Sequence, residues 1–176
     1  MARGHSAARG PRSSAIRQDD RLVLPDPTWQ SGEVPPNGLT VGTWQVDETG
    51  RSGPFEPNPD YLPFDDETPT DPTDSVLRLI MRGEDVGDRL IPSVRDAVVE
   101  IAMDDQDQPL VTPAPDGMLC VLVVTSPAQR VDSQLTNWWP IVGARLPEVV
   151  PEEVDILLNP DGLAPFRLST TALADG

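Results

Sequence analysis

The sequence predicts an α+β (mixed α/β) fold in a single domain, with a central antiparallel or mixed sheet and short flanking helices. Three observations predict it. Met118 to Ser126 (M-L-C-V-L-V-V-T-S) is the longest unbroken apolar run. It is too short to span a bilayer, which takes about 20 apolar residues. Rich in β-branched residues and bounded by Asp116-Gly117 and Ser126-Pro127, it reads as a strand buried on both faces. Second, Asp71 to Arg82 has a complete helix signature, with Asp71 at the N-cap, Pro72 at N1 and Gly83 as the C′ stop. Third, Thr40 to Val46 alternates with period two and is followed by Asp47-Glu48-Thr49-Gly50, a turn that Arg51 to Glu56 leaves as a returning strand.

The remaining elements follow in order. Met1 to Arg21 holds five Arg against two acids and one large aliphatic residue beyond the initiator, Ile16, so a disordered Arg-rich tail is expected. Residues 22–70 are Pro-dense but carry Trp29, Trp44, Phe55, Tyr61 and Phe64. Disordered linkers are poor in aromatics, so this segment is expected to pack, as a hairpin, on the core formed by residues 71–176. Asn58 to Pro63 is a Pro-guided extended passage. In the helix at Asp71, Val76, Leu77, Ile80 and Met81 make the apolar stripe. A second short helix is expected at about Val86 to Ile91, stopped by Pro92.

Asp96 to Met103 reads as a strand, Asp104 to Gln108 as an acidic loop, and Pro109 to Pro113 as a short strand. Pro115-Asp116-Gly117 would turn that strand into the central run as an antiparallel hairpin. Ser126 to Asn137 is a polar connector. Ile141 to Leu146 is helical or extended. Val154 to Leu158 is a strand, Asn159-Pro160-Asp161-Gly162 a turn, and Pro165 to Leu168 a last strand. Ser169-Thr170-Thr171 can cap a terminal helix that carries Leu173.

Composition narrows the function. The chain of 176 residues carries a net charge of −16, and all 13 of its basic residues are Arg. An acidic body repels nucleic acid and anionic membrane surfaces. Solubility explains the charge most simply, and a basic partner surface is the sharper reading. The one His, His5, lies in the tail, so neither a Ser-His-acid triad nor a Cys-His pair can form. Cys120 has no disulfide partner and sits inside the apolar run, as a small hydrophobe does. With no Lys there is no Walker lysine and no Schiff base. A structural zinc site lacks ligands, and Asp104 to Gln108 lacks the glycine and spaced Glu of a calcium loop. A secretory signal is not expected, because the start lacks an apolar core. Cofactors are therefore not expected, and a soluble, cytoplasmic protein without membrane insertion is. A carboxylate-pair hydrolase stays open, because such a pair is recognised in space.

The aromatics are the remaining signal. Trp138 and Trp139 are adjacent, so on a strand their rings point to opposite faces; one in the core and one exposed is the expectation. Trp and Tyr anchor protein interfaces. Trp138, Trp139, Trp29 and Tyr61 are therefore the candidate protein-binding residues, while core packing is the simpler role for Trp44 and an open alternative for Trp29.

Two groups of segments together carry a resemblance. One comprises Asp26-Pro27-Thr28-Trp29, Pro35-Pro36, Val41-Gly42-Thr43-Trp44, Gly50, Asn58-Pro59-Asp60-Tyr61-Leu62-Pro63 and Thr70-Asp71-Pro72-Thr73-Asp74. The other comprises Leu119 to Pro127 and Leu157-Leu158-Asn159-Pro160. The pattern resembles the actinobacterial type VII secretion system-associated proteins, and residues 71–176 look like an SseB N-terminal domain. Arg-, Pro- and Asp-rich composition without Lys agrees with a GC-rich source. The resemblance implies a non-enzymatic cytosolic accessory or adaptor protein that works by binding a secretion component or a secreted substrate. It implies no catalytic residues. An immunity-like protein that neutralises a basic toxin is the alternative.

Overall fold

In the computed structural model, which describes residues 11–130 and 135–176, the local signals above become elements of two joined sheets. The helix code works as read at both ends, whereas Met81 of the expected apolar stripe is exposed, because it lies in the last turn. α1 spans Pro72–Met81, Asp71 Oδ1 accepts the amides of Thr73 and Asp74, and Gly83 adopts φ +82, a region that penalises side chains. The central run forms β7, Leu119–Val124. It hairpins with β6, Val111–Pro113, through the turn at Pro115 to Gly117.

The first sheet has the order β1 (Ile16–Gln18), β2 (Arg21–Pro25), β3 (Thr40–Val46), β4 (Ser52–Pro57), antiparallel throughout. The expected hairpin is its β3–β4 half. The other half corrects the expectation of a disordered tail. Pro11–Ser14 is a 3-10 turn, and Ile16, Arg17 and Gln18 pair with Val23, Leu22 and Arg21. Backbone hydrogen bonds to β2 order a stretch that has few apolar side chains to bury. Residues 1–10 of that expectation lie outside the described residues.

The second sheet is mixed, in the order β10 (Phe166–Leu168), β9 (Asp155–Leu158), β7, β5 (Val98–Ala102), β8 (Trp138–Val142), with β6 pairing β7 beyond the end of β5. β7 and β9 are parallel and every other pair is antiparallel. A parallel pair needs a crossover, and the chain makes it through β8 and the short helix α3, Leu146–Val149. The polar connector expected at Ser126 to Asn137 is described except at residues 131–134.

Two further expectations change, and the open reading of Ile141 to Leu146 resolves. α2 is Leu90–Arg95, so it passes through Pro92 instead of ending there; in the first turn the missing N–H of proline costs no intrahelical bond. Ile141 and Val142 are extended, in β8, and a 3-10 turn at Gly143–Arg145 follows. α4, Thr170–Asp175, starts at Ser169, but that hydroxyl makes no capping bond; Thr170 Oγ1 instead donates to the Val154 carbonyl at 2.7 Å.

One core joins both sheets. The Phe55 amide donates to the Asp96 carbonyl at 2.7 Å, and Phe55 bridges Ala97 in parallel, so β4 meets the start of β5. Trp44 and Phe55 stack tilted with centroids 4.7 Å apart, in the same buried cluster as Leu77, Val94, Val99, Val121, Val123, Leu146, Ile156 and Leu173. Burying each such side chain contributes about 1.5–3 kcal/mol. β7 is buried on both faces for Cys120, Val121, Val123 and Val124, whereas Met118 and Leu119 at its entry are exposed. Gly143 is dictated by contact, because a Cβ there would overlap the Val94 carbonyl oxygen.

Candidate functional site

Of the four aromatic candidates, the structure removes one from the surface. Tyr61 is fully buried, and its hydroxyl donates to Asp26 Oδ2 at 2.7 Å. Asp26 also accepts the amide and hydroxyl of Thr28. Burial pushes the Asp26 carboxyl up, but the bonds from Thr28 and Tyr61 outweigh it and leave the group below its ordinary value. Burial and the Asp26 carboxylate together push the Tyr61 hydroxyl well up. Tyr61 is thus a core tie between β2 and the passage after β4. Trp29 is half-buried, and its indole N–H donates to the Glu33 carbonyl at 2.9 Å, which closes the loop between β2 and β3.

Trp138 and Trp139 lie on β8, an edge strand. Register assigns their faces. Trp139 pairs with Ile101, which pairs with Val123, and both partners are core residues; Trp138 pairs with Ala102 on the opposite face. The ring on the core-facing side is nonetheless the exposed one, at 45 %, because the strand lies at the rim of the sheet. Trp138 is half-buried, with its indole N–H on the Leu135 carbonyl at 2.9 Å. The Trp139 indole N–H donates to Asn137 Oδ1 at 3.0 Å, and Asn137 Nδ2 donates to the Asp104 carbonyl at 3.1 Å. Trp139 is therefore fixed beside the loop that carries Asp104, Asp105 and Asp107, none of which is in an ion pair among the described residues.

The outer edge of β8 is blunted. The Met103 amide bonds the Asn137 carbonyl and the Gly143 amide bonds the Ala97 carbonyl, so the odd-numbered positions face β5. The backbone of Trp138, Pro140 and Val142 then faces outward, and Pro140 lacks an N–H there. A proline at this position disfavours strand addition. The features that this edge presents to solvent are therefore the Trp139 ring and the acidic loop.

A second constellation, not singled out in the sequence as a site, is buried where β7 and β9 end. Asp71 Oδ2 accepts the hydroxyls of Thr70 at 2.8 Å and Thr125 at 2.7 Å. Asn159 Oδ1 accepts the Thr125 amide at 2.9 Å, and its Nδ2 donates to Thr125 Oγ1 at 3.0 Å. Asp74 Oδ2 accepts the Thr70 amide at 3.0 Å and Arg78 Nε at 2.9 Å, and Gln129 Nε2 donates to Thr70 Oγ1 at 2.9 Å. Burial, then the Asp74 charge, push the Asp71 carboxyl up against the bonds it accepts. In open α/β sheets the carboxyl ends of parallel strands and a helix N-terminus make an anion site. Here the chain's own Asp71 carboxylate occupies the helix amides. The junction ties α1 to β7 and β9 and leaves that position filled.

An open groove of about 680 Å³ lies between the first sheet and helices α1 and α2. Pro72, Val76 and Leu79 line it, together with Arg12, Arg89 and the exposed carboxylates Asp88 and Asp96. Arg12 spans it, 5.8 Å over the Trp44 ring and 3.8 Å from Asp96. Cys120 is buried, and burial pushes its thiol up. Among the described residues no group of three His, Cys, Asp or Glu side chains is placed to hold a metal, and no helix is long and apolar enough to cross a membrane. Comparison with family models, with curated proteins and with solved structures found no match to this chain.

Proposed function

We propose that the chain is a non-enzymatic accessory protein of a type VII secretion system that acts in the cytoplasm by binding another protein. One observation supports binding above all: Trp139 is exposed, fixed by Asn137, and flanked by carboxylates without ion pairs at an edge where Pro140 disfavours strand addition. Aromatic rings held in this way supply contact area at low ordering cost. The unpaired acids fit a basic partner face, and complementary charge speeds encounter and selects partners. The secretion assignment rests on the motif pattern of the sequence.

The same acidic rim favours one second reading, an immunity-like protein that neutralises a basic toxin. Affinity recovery from cells that express the secretion locus separates them. The wild-type chain is expected to recover a secretion component or a secreted substrate, and Trp139→Ala to lose it. Recovery of neither sinks the accessory reading. Rescue of growth against a co-produced toxin, lost in Trp139→Ala, establishes the second.

A further inference from the structure

We propose that residues 62–68, in the loop between β4 and α1, form a preorganised docking element. In this proposal Leu62 and Phe64 insert into an apolar recess, rimmed by Arg or Lys, on a partner protein. The proposal rests on the reading of the chain as a binding protein and places a second contact on an element other than β8.

Phe64 is 90 % exposed and Leu62 74 %, the two most exposed large apolar side chains described. The loop that holds them is tied at three places. Before Leu62, the Tyr61 hydroxyl is bound by Asp26, its amide donates to the Asn58 carbonyl at 3.1 Å, and Asn58 Nδ2 donates to the Thr40 carbonyl at 2.8 Å. After Phe64, Asp65 Oδ1 accepts the amide of Thr68 at 2.9 Å and its hydroxyl at 2.8 Å. Arg78, on α1, donates to the Asp66 carbonyl, and Thr70 enters the buried junction. Exposed Met81 lies three residues on from Arg78, on the same flank of α1.

Two large apolar groups presented to water by a tied loop have no folding role, because burial is what such groups contribute to a fold. Tying lowers the ordering cost that a flexible loop meets on binding. Asp65, Asp66 and Glu67 follow Phe64 directly, are exposed, and form no ion pair among the described residues. Arg78, whose guanidinium donates to the loop at the Asp66 carbonyl, is paired with Asp74. That charge disfavours an anionic membrane surface and a second copy of this −16 chain, and it fits a cationic rim.

The test places a photo-reactive benzophenone side chain at position 64, and separately at 139, in the full chain produced with the secretion locus. The expected result is a discrete protein adduct from 64 whose cross-linked peptide joins apolar residues to Arg or Lys. Its yield falls about tenfold or more with Asp65→Asn, Asp66→Asn and Glu67→Gln combined, and falls with added salt. An adduct from 139 and none from 64 overturns this proposal and leaves the binding reading standing; none from either sinks both. An adduct from 64 indifferent to the three acids overturns it. So does flotation with phosphatidylcholine vesicles that Phe64→Ala abolishes, which would make the loop a membrane anchor. Phe64→Ala itself leaves the melting temperature unchanged, because the ring is in water.

Discussion

Replacement of Asn159 tests whether the buried junction holds α1 to the parallel strands. Asn159 is fully buried with φ +46, a left-handed conformation that Asn tolerates better than Ala. In Asn159→Ala the Thr125 amide loses its acceptor and Thr125 Oγ1 loses a donor. An orphaned buried donor costs about 1–3 kcal/mol, and of the left-handed penalty of about 1–2 kcal/mol only the part by which Ala exceeds Asn is added. The expected loss is therefore about 1–4 kcal/mol. For a chain of this size that lowers Tm by roughly 10 °C, at about 2–4 °C per kcal/mol. Guanidinium unfolding followed by Trp fluorescence reads it as a shift in midpoint at unchanged slope.

Asn159→Asp adds a signature that lost packing does not produce. The Thr125 amide keeps an acceptor, but a carboxylate now stands in a junction that holds Asp71 and Asp74. Burial and like charge raise its folded-state pKa above the unfolded value. Between those values the folded state binds more protons, so stability falls as pH rises. The deficit of Asn159→Asp against wild type should be largest near neutrality and shrink toward pH 4. An Asn159→Ala variant within about 0.5 kcal/mol of wild type would refute the junction as a structural tie. A deficit for Asn159→Asp that grows on acidification would refute its electrostatics.

Other outcomes follow from the same structure. Trp139→Ala should cost at most about 1 kcal/mol in guanidinium unfolding, as half-exposed positions do, while abolishing partner recovery. Gly143→Ala forces a methyl onto the Val94 carbonyl oxygen and should lower stability by about 1–3 kcal/mol or prevent folding, read by thermal melting. Tyr61→Phe removes one bond to the buried Asp26 carboxylate and should cost about 1–3 kcal/mol near pH 7. The Asp26 pKa is lowered on folding, so its stabilisation is present above the unfolded carboxyl value and is lost as pH falls through the folded one; Tyr61→Phe should flatten that acid limb in unfolding midpoints measured from pH 7 to 3.

Local chemistry was the legible part of the sequence. Asp71, Pro72 and Gly83 encode α1 within a dozen residues, and Pro115 to Gly117 encode the hairpin that delivers β7. What depends on distant partners was not legible. β1 exists because the backbone of Arg21 to Val23 pairs with it, and counting its apolar side chains could not show that. Tyr61 read as an anchor because its hydroxyl's partner, Asp26, lies 35 positions away. Pro92 read as a stop because the start of α2, only two residues earlier, carries no capping signal. Trp139 was found by its type, but its exposure follows from β8 taking the sheet edge, which is set by topology. Phe64 read as one of the aromatics that pack residues 22–70 on the core, and its exposure corrects that, because the ties around it hold the loop's backbone and leave the ring outside.

The motif residues divide by physical role. Asp26, Thr28, Asn58 and Tyr61 form one set of ties around β2, β3 and the passage after β4, and Thr70, Asp71, Asp74, Thr125 and Asn159 form the other. These short polar side chains stand at fixed positions because buried donors and acceptors must find one another. A pattern built from them reports a fold. It says little about a partner, because Asp26, Tyr61, Thr70, Asp71, Asp74, Thr125 and Asn159 are all buried. The exposed rings of Trp139 and Phe64 stand outside both sets of ties. Asn159→Ala should move stability and leave binding intact per folded molecule, variants at Tyr61 or Asn58 should also loosen the loop that presents Phe64, and variants at the two exposed rings should weaken binding alone.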